Sequence, residues 1–153
     1  METSHYQKAA GRPSYGAGAI FIQDVESFRI ANCNFSQNSA YQGGAVFFDG
    51  QVADTDLSLS GCLFRANQGN ASGGAIHVNV GVTLILEQND FINNSANMGG
   101  AIYMAGSSNL STPLQSQAEL NFQNNSAIRG GAINCFSCGK CLCIGIDLTS
   151  CCY

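Results

Sequence analysis

A unit of 26 to 31 residues recurs from one end of this chain to the other, and it limits the fold more than anything else in the sequence. A phenylalanine is followed three residues later by asparagine, then a short run of small residues, then Gly-Gly-Ala and an aliphatic residue. The copies are Phe35…Asn38…Gly43-Gly44-Ala45-Val46, Phe64…Asn67…Gly73-Gly74-Ala75-Ile76, Phe91…Asn94…Gly99-Gly100-Ala101-Ile102 and Phe122…Asn125…Gly130-Gly131-Ala132-Ile133. A partial copy, Ala17-Gly18-Ala19-Ile20, precedes them. The second glycines stand at 18, 44, 74, 100 and 131, giving spacings of 26, 30, 26 and 31. Self-similarity on this scale is the mark of a stacked architecture, in which each unit buries its apolar face against the next.

Composition agrees. Only 10% of the 153 residues are charged, there are 18 glycines and no tryptophan, and amides and serines supply the polarity. Tight turns favour such small and amide side chains. The 45% apolar content is too high for a disordered chain. A net charge of −4 with six basic residues offers no phosphate-binding surface, so nucleic acid is not expected as a partner. No run of apolar residues is long enough for a transmembrane segment. The first residues carry no apolar signal core, and the first repeat starts in mid-unit, so the reading favours a piece of a longer β-helix chain.

Three parts follow from the pattern: a lead-in or cap at 1–14, repeats at 15–135, and a cysteine-rich tail at 136–153. Within the repeats, alternation predicts three short strands per unit. The first carries inward pairs such as Val46/Phe48, Ile76/Val78 and Ile102/Met104; the second carries Phe28/Ile30, Leu57/Leu59 and Leu84/Leu86; the third carries Cys33/Phe35, Cys62/Phe64, Asn89/Phe91 and Leu120/Phe122. The inward parity shifts by one between second and third strands, as at a corner or bulge. In the fourth unit the long Ala105–Pro113 segment reads as an insertion after the first strand, which puts Gln115 and Gln117 in the second-strand slot.

The expected fold is an all-β, right-handed parallel β-helix of about four to five coils. Coils ~4.8 Å apart pair each other's backbone and continue each apolar column. Phe35, Phe64, Phe91 and Phe122 then form one aromatic stack, and Asn38, Asn67, Asn94 and Asn125 form one corner ladder. Asparagine tolerates left-handed backbone at such a corner, and its amide both donates and accepts between coils.

The paired Phe-x-x-Asn and Gly-Gly-Ala-Ile elements resemble the repeats of polymorphic outer-membrane proteins. The resemblance covers about residues 15–135 and implies an autotransporter passenger: a right-handed parallel β-helix on a cell surface or outside the cell, acting as an adhesin. Its implied partner is a glycan or protein on a host or neighbouring cell. The chain departs from that family in lacking a translocator barrel and in its cysteine-rich tail.

On the outward side of the first strands, Phe21, Phe47, His77, Tyr103 and Asn134 fall in one column. Aromatic residues facing solvent at this spacing would form a platform for sugar rings or a partner chain; the alternative is a surface covered by a loop or a neighbouring domain. The competing classes are a fragment of a pectate-lyase-like carbohydrate-active enzyme, whose fold is the same, and a purely structural spacer. The enzyme's converging carboxylates are not found, because the acids are scattered over corners. No catalytic site, cofactor or metal site is therefore assigned. Asp49, Asp54 and Asp56 come nearest to a calcium loop, but a solvated loop is the simpler reading. Cys33 and Cys62 share a slot in adjacent coils and read as buried thiols. The tail's Cys135, Cys138, Cys141, Cys143, Cys151 and Cys152 suit disulfides in an extracellular setting, with zinc as the alternative.

Overall fold

A computed structural model describes residues 16–50, 55–112 and 120–137, together with the backbone of two further strands at 4–7 and 140–142. These residues form a parallel β-solenoid of about four coils, and no helix occurs among them. First strands are β2 (Ile20–Gln23), β6 (Val46–Asp49), β10 (Ile76–Val78), β14 (Ile102–Ala105) and β18 (Ile133–Phe136). Second strands are β3 (Ser27–Ala31), β7 (Thr55–Ser60), β11 (Val82–Glu87), β15 (Asn109–Ser111) and β19 (Lys140–Leu142). Third strands are β4 (Cys33–Ser36), β8 (Leu63–Arg65), β12 (Asp90–Ile92) and β16 (Asn121–Gln123), joined at one edge by β1 (Ser4–Gln7).

Besides the three strands per coil expected from the sequence there is a fourth, in the segment that reads as a turn: β5 (Ser39–Gln42), β9 (Gln68–Ser72), β13 (Ser95–Met98) and β17 (Ser126–Arg129). Each strand type forms its own sheet, and every pairing is parallel. β9 holds one residue more than its neighbours, and the ladder to β5 and β13 shifts by a bulge there. That is the coil in which Phe64 and Gly73 are nine residues apart rather than eight.

Backbone turns sit at fixed positions. Between second and third strands, Asn32, Gly61 and Gln88 take left-handed φ of 53°, 62° and 52°. At the next corner the left-handed residues are Gln37, Ala66, Asn93 and Asn124, one place before the ladder asparagines. The ladder residues thus serve through their amides rather than through left-handed backbone, which corrects the sequence reading. Asn67 Nδ2 donates to Asn94 Oδ1 (3.0 Å) and to Phe35 O (3.0 Å), and Asn67 N donates to the same Asn94 oxygen (2.9 Å). The pattern repeats from Asn38 to Asn67 and from Asn94 to Asn125, with 3.0 Å between amides. Buried polar groups are stable only when paired in this way.

Two glycines per coil do different jobs. Gly73 has φ +63°, and a Cβ there would lie 2.8 Å from His77 N, so the end of β9 folds back against the outer side of β10. A Cβ on Gly74 would collide with Gly100 O and come within 2.6 Å of Ser95 N. The start of the fourth strand therefore pinches against the start of its own coil. Each winding closes into a main tube of three strands and a narrow lateral lobe.

The main tube is filled by stacked apolar residues. Phe35, Phe64, Phe91 and Phe122 stack with centroids 4.8, 4.9 and 4.8 Å apart and planes within 6°. Val46/Phe48, Ile76/Val78, Leu57/Leu59 and Leu84/Leu86 are fully buried beside them. In the fourth coil Leu110 pairs with Leu84 and is buried, so the second strand is β15 and the insertion follows it. The expected placement of the insertion before the second strand is corrected accordingly; Gln115 and Gln117 lie outside the described residues.

Candidate functional site

The lateral column is the most distinctive side-chain arrangement outside the core. Successive first strands place Phe21, Phe47, His77, Tyr103 and Asn134 in register. Ring centroids are 5.3 Å apart for Phe21–Phe47, 4.8 Å for Phe47–His77 and 4.9 Å for His77–Tyr103, with the first pair 3° from parallel.

The expectation that these residues face solvent is corrected for all but one of them. Phe47 and His77 are 4% exposed and Tyr103 is 8% exposed, whereas Phe21 is 50% exposed. Their cover is the chain's own fourth strand, which turns back at Gly43, Gly73, Gly99 and Gly130 so tightly that a Cβ at each would touch the first strand. The lateral lobe is thus a second, narrow core built of aromatic rings.

His77 is the one imidazole in that stack. Its Nδ1 lies 2.8 Å from Ser72 Oγ at the end of β9, which ties the fourth strand to the column. Burial pushes the imidazole down from 6.5 to about 4, and the carboxylate of Asp49 pulls it weakly the other way. At neutral pH the ring is uncharged, because burial removes the water that would solvate an imidazolium. Asp49 Oδ1 accepts a hydrogen bond from Asn79 Nδ2 (3.0 Å). Asp56 is exposed, Asp54 lies outside the described residues, and no group of three or more His, Cys, Asp or Glu side chains converges among those described.

Cys62 is buried and Cys33 half-buried, neither in a disulfide, and burial raises the Cys62 thiol above its ordinary range. The tail's Cys138, Cys143, Cys151 and Cys152 lie outside the described residues, as does the Cys141 side chain.

The structure gives structural roles to three polar residues, of which the sequence reading places Asn89 at an inward position and passes over Ser72 and Ser108. Asn89 takes the slot of Cys62 one coil on; its Oδ1 accepts from Cys62 N (2.9 Å) and its Nδ2 donates to Leu59 O (2.9 Å). Ser108 donates to Asn79 O (2.8 Å) and accepts from Val82 N (3.3 Å). Ser72 meets His77. Only Asn89 carries a signal in the sequence, as an amide at an inward position.

Besides Phe21, the exposed large apolar side chains among the described residues are Phe28, Tyr41, Val80, Ile128 and Phe136. Ile128 is 81% exposed and Tyr41 43% exposed, both on fourth strands. A groove of about 310 Å³ runs across three coils of that sheet, lined by Ala71, Asn97, Met98, Ile128 and Arg129.

The Chlamydia polymorphic membrane protein repeat matches this chain at residues 32–49, 90–105 and 119–135. Each matched segment runs from the third strand of one coil through the fourth strand to the first strand of the next. The remaining copy is the one with the extra residue in β9. No curated protein and no solved structure is significantly similar to the chain. No helix among the described residues is long and apolar enough to cross a membrane. The chain is a parallel β-solenoid that is similar to the polymorphic membrane protein repeat over these three segments, with one unmatched coil between the first and the second.

Proposed function

We propose that this chain is a surface-displayed β-helix passenger segment that binds a glycan or protein on a host or neighbouring cell, without turnover of its ligand. The repeat match supports display at a surface. The single observation that carries the binding reading is the distribution of apolar side chains. The phenylalanine column and, apart from Phe21, the lateral column are taken up by packing, while Ile128 and the groove beside it stay open on the fourth-strand sheet. An exposed apolar patch rimmed by polar groups, here Asn97 and Arg129, is the usual form of a recognition surface.

Glycan arrays and cell-binding assays with the intact chain test this. Binding without product release is expected, reduced at least tenfold by Ile128→Asp, with a melting curve unchanged by that substitution. Undiminished binding by the variant would move the site away from this groove. Absence of binding to any cell or glycan would leave a spacer role as the better reading. Serine at Phe47 or Tyr103 is no test of binding, because those rings are buried and their loss is expected to destabilise the packing around them.

A further inference from the structure

The amides of this solenoid divide into two sets. Those of the ladder are spent inside the protein: Asn67 and Asn94 each donate to a backbone carbonyl and to the amide of the next coil. A second set, on the outer face of the third-strand sheet, is unspent. Asn34, Ser36, Gln37, Arg65 and Asn93 surround one groove of about 380 Å³, and none of their side chains makes a hydrogen bond or ion pair with a described residue. That volume is at the small end of the range for ligand sites.

Register and one missing side chain shape the groove. Asn34 lies beside Leu63 and Ser36 beside Arg65, so β4 and β8 supply its floor. Its wall is the left-handed corner, where Gln37, Ala66, Asn93 and Asn124 hold equivalent places with φ from 52° to 57°. Three of these four are amides. Ala66 is the exception, although alanine suits left-handed backbone less well than asparagine does. The gap it leaves lies between Gln37 and Asn93, two coils or about 9.6 Å apart. Arg65 is exposed beside that gap. Asn34 Oδ1 is enclosed without a hydrogen-bond partner, so nothing inside the protein holds its amide. Buried polar atoms in that state are rare.

These groups together specify a ligand chemistry. A guanidinium without a carboxylate partner calls for an anion, which it grips through paired N–H donors. Three amides and a hydroxyl, each able to donate and accept, call for hydroxyl groups. Half-buried Leu63 adds an apolar surface for C–H groups. The carboxylate of a peptide side chain would engage Arg65 and leave the amides idle. We propose that this groove binds one carboxylate-bearing sugar residue, a uronic acid, with its carboxylate on Arg65 and its hydroxyls on Asn34, Gln37 and Asn93. The site is on the third-strand sheet, so the inference holds whether or not the Ile128 groove binds a ligand.

Ligand-observed NMR with the full chain and sodium glucuronate is the test. Glucuronate should bind, and glucose or acetate, which carry only the hydroxyls or only the carboxylate, should bind about tenfold more weakly or worse. Arg65→Gln should weaken glucuronate binding by about tenfold or more, as loss of a charge-assisted hydrogen bond does. Ala66→Asn should weaken it as much by filling the gap, with a melting midpoint unchanged or raised because asparagine suits the corner. Ile128→Asp should leave glucuronate binding as it is, whatever it does to the binding of cells or glycan arrays. Absence of glucuronate binding overturns the proposal, as does equal binding of glucose or acetate. Full affinity in Arg65→Gln or in Ala66→Asn overturns it too. So does loss of affinity in Ile128→Asp, which would assign the sugar to the other groove.

Discussion

The residues that matter most here are those whose partners lie one coil away. Asn94 is the clearest case, since its Oδ1 takes hydrogen bonds from both Asn67 N and Asn67 Nδ2, and its own Nδ2 donates to Phe64 O and to Asn125 Oδ1. Asn94→Ala strands several buried donors and acceptors at once. A loss of roughly 3 kcal/mol or more is expected in urea unfolding, because each buried polar group left unpaired costs about 1–3 kcal/mol. His77 gives a second outcome at this scale. Its folded value of about 4 lies below the unfolded 6.5, so the unfolded chain binds the proton first. The contribution is fully present above pH 6.5 and is lost as pH falls towards 4, amounting to roughly 3 kcal/mol over that window. His77→Phe keeps a ring in the stack and should flatten the slope between pH 6.5 and 4; an unaltered slope would show that other groups set it.

Elements differ in how plainly the sequence announces them. First, second and third strands are legible because apolar residues alternate and Phe35, Phe64, Phe91 and Phe122 mark the phase. The fourth strand is not. Ser39-Ala40-Tyr41-Gln42 and Gln68-Gly69-Asn70-Ala71-Ser72 show no apolar alternation, and their strand character comes from pairing with the coils on either side. The lateral column was legible as a column and illegible as a core, since alternation tells which side of a strand a residue takes and not what covers it. The second strand of the fourth coil hid for another reason. Leu110 is its only apolar residue, and register with Leu84, rather than pattern, identifies it. Glycine carries the element-scale prediction. Gly74→Ala drives a methyl group into Gly100 O and Ser95 N, both backbone atoms that cannot step aside. Its effect should far exceed the ~1 kcal/mol that glycine costs relative to alanine in ordinary secondary structure. A thermal melt of Gly74→Ala beside Gly106→Ala, where the nearest atom is a flexible Val80 methyl at 3.8 Å, makes the comparison.

On the scale of the whole molecule, stability is a sum over coils and the contacts between adjacent ones. Deleting residues 75–100 joins Gly74 to Ala101 and removes one full winding while leaving the Gly-Ala junction intact. That shortened chain should keep its β signal by circular dichroism and unfold cooperatively at a lower midpoint. Removing half as many residues from the same place breaks every column above the cut, and no cooperative transition is expected. Equal behaviour of the two deletions would mean that the coils do not act as units.

Nine residues separate β15 from β16, where two separate β11 from β12, yet both later strands keep their pairing with the coil beneath. The tube is indifferent to what the chain does on that excursion. Peptides grafted between Thr112 and Leu120 should leave the pairing of β16 with β12 unchanged. The same freedom lets selection lengthen or rewrite that connection while leaving the skeleton alone.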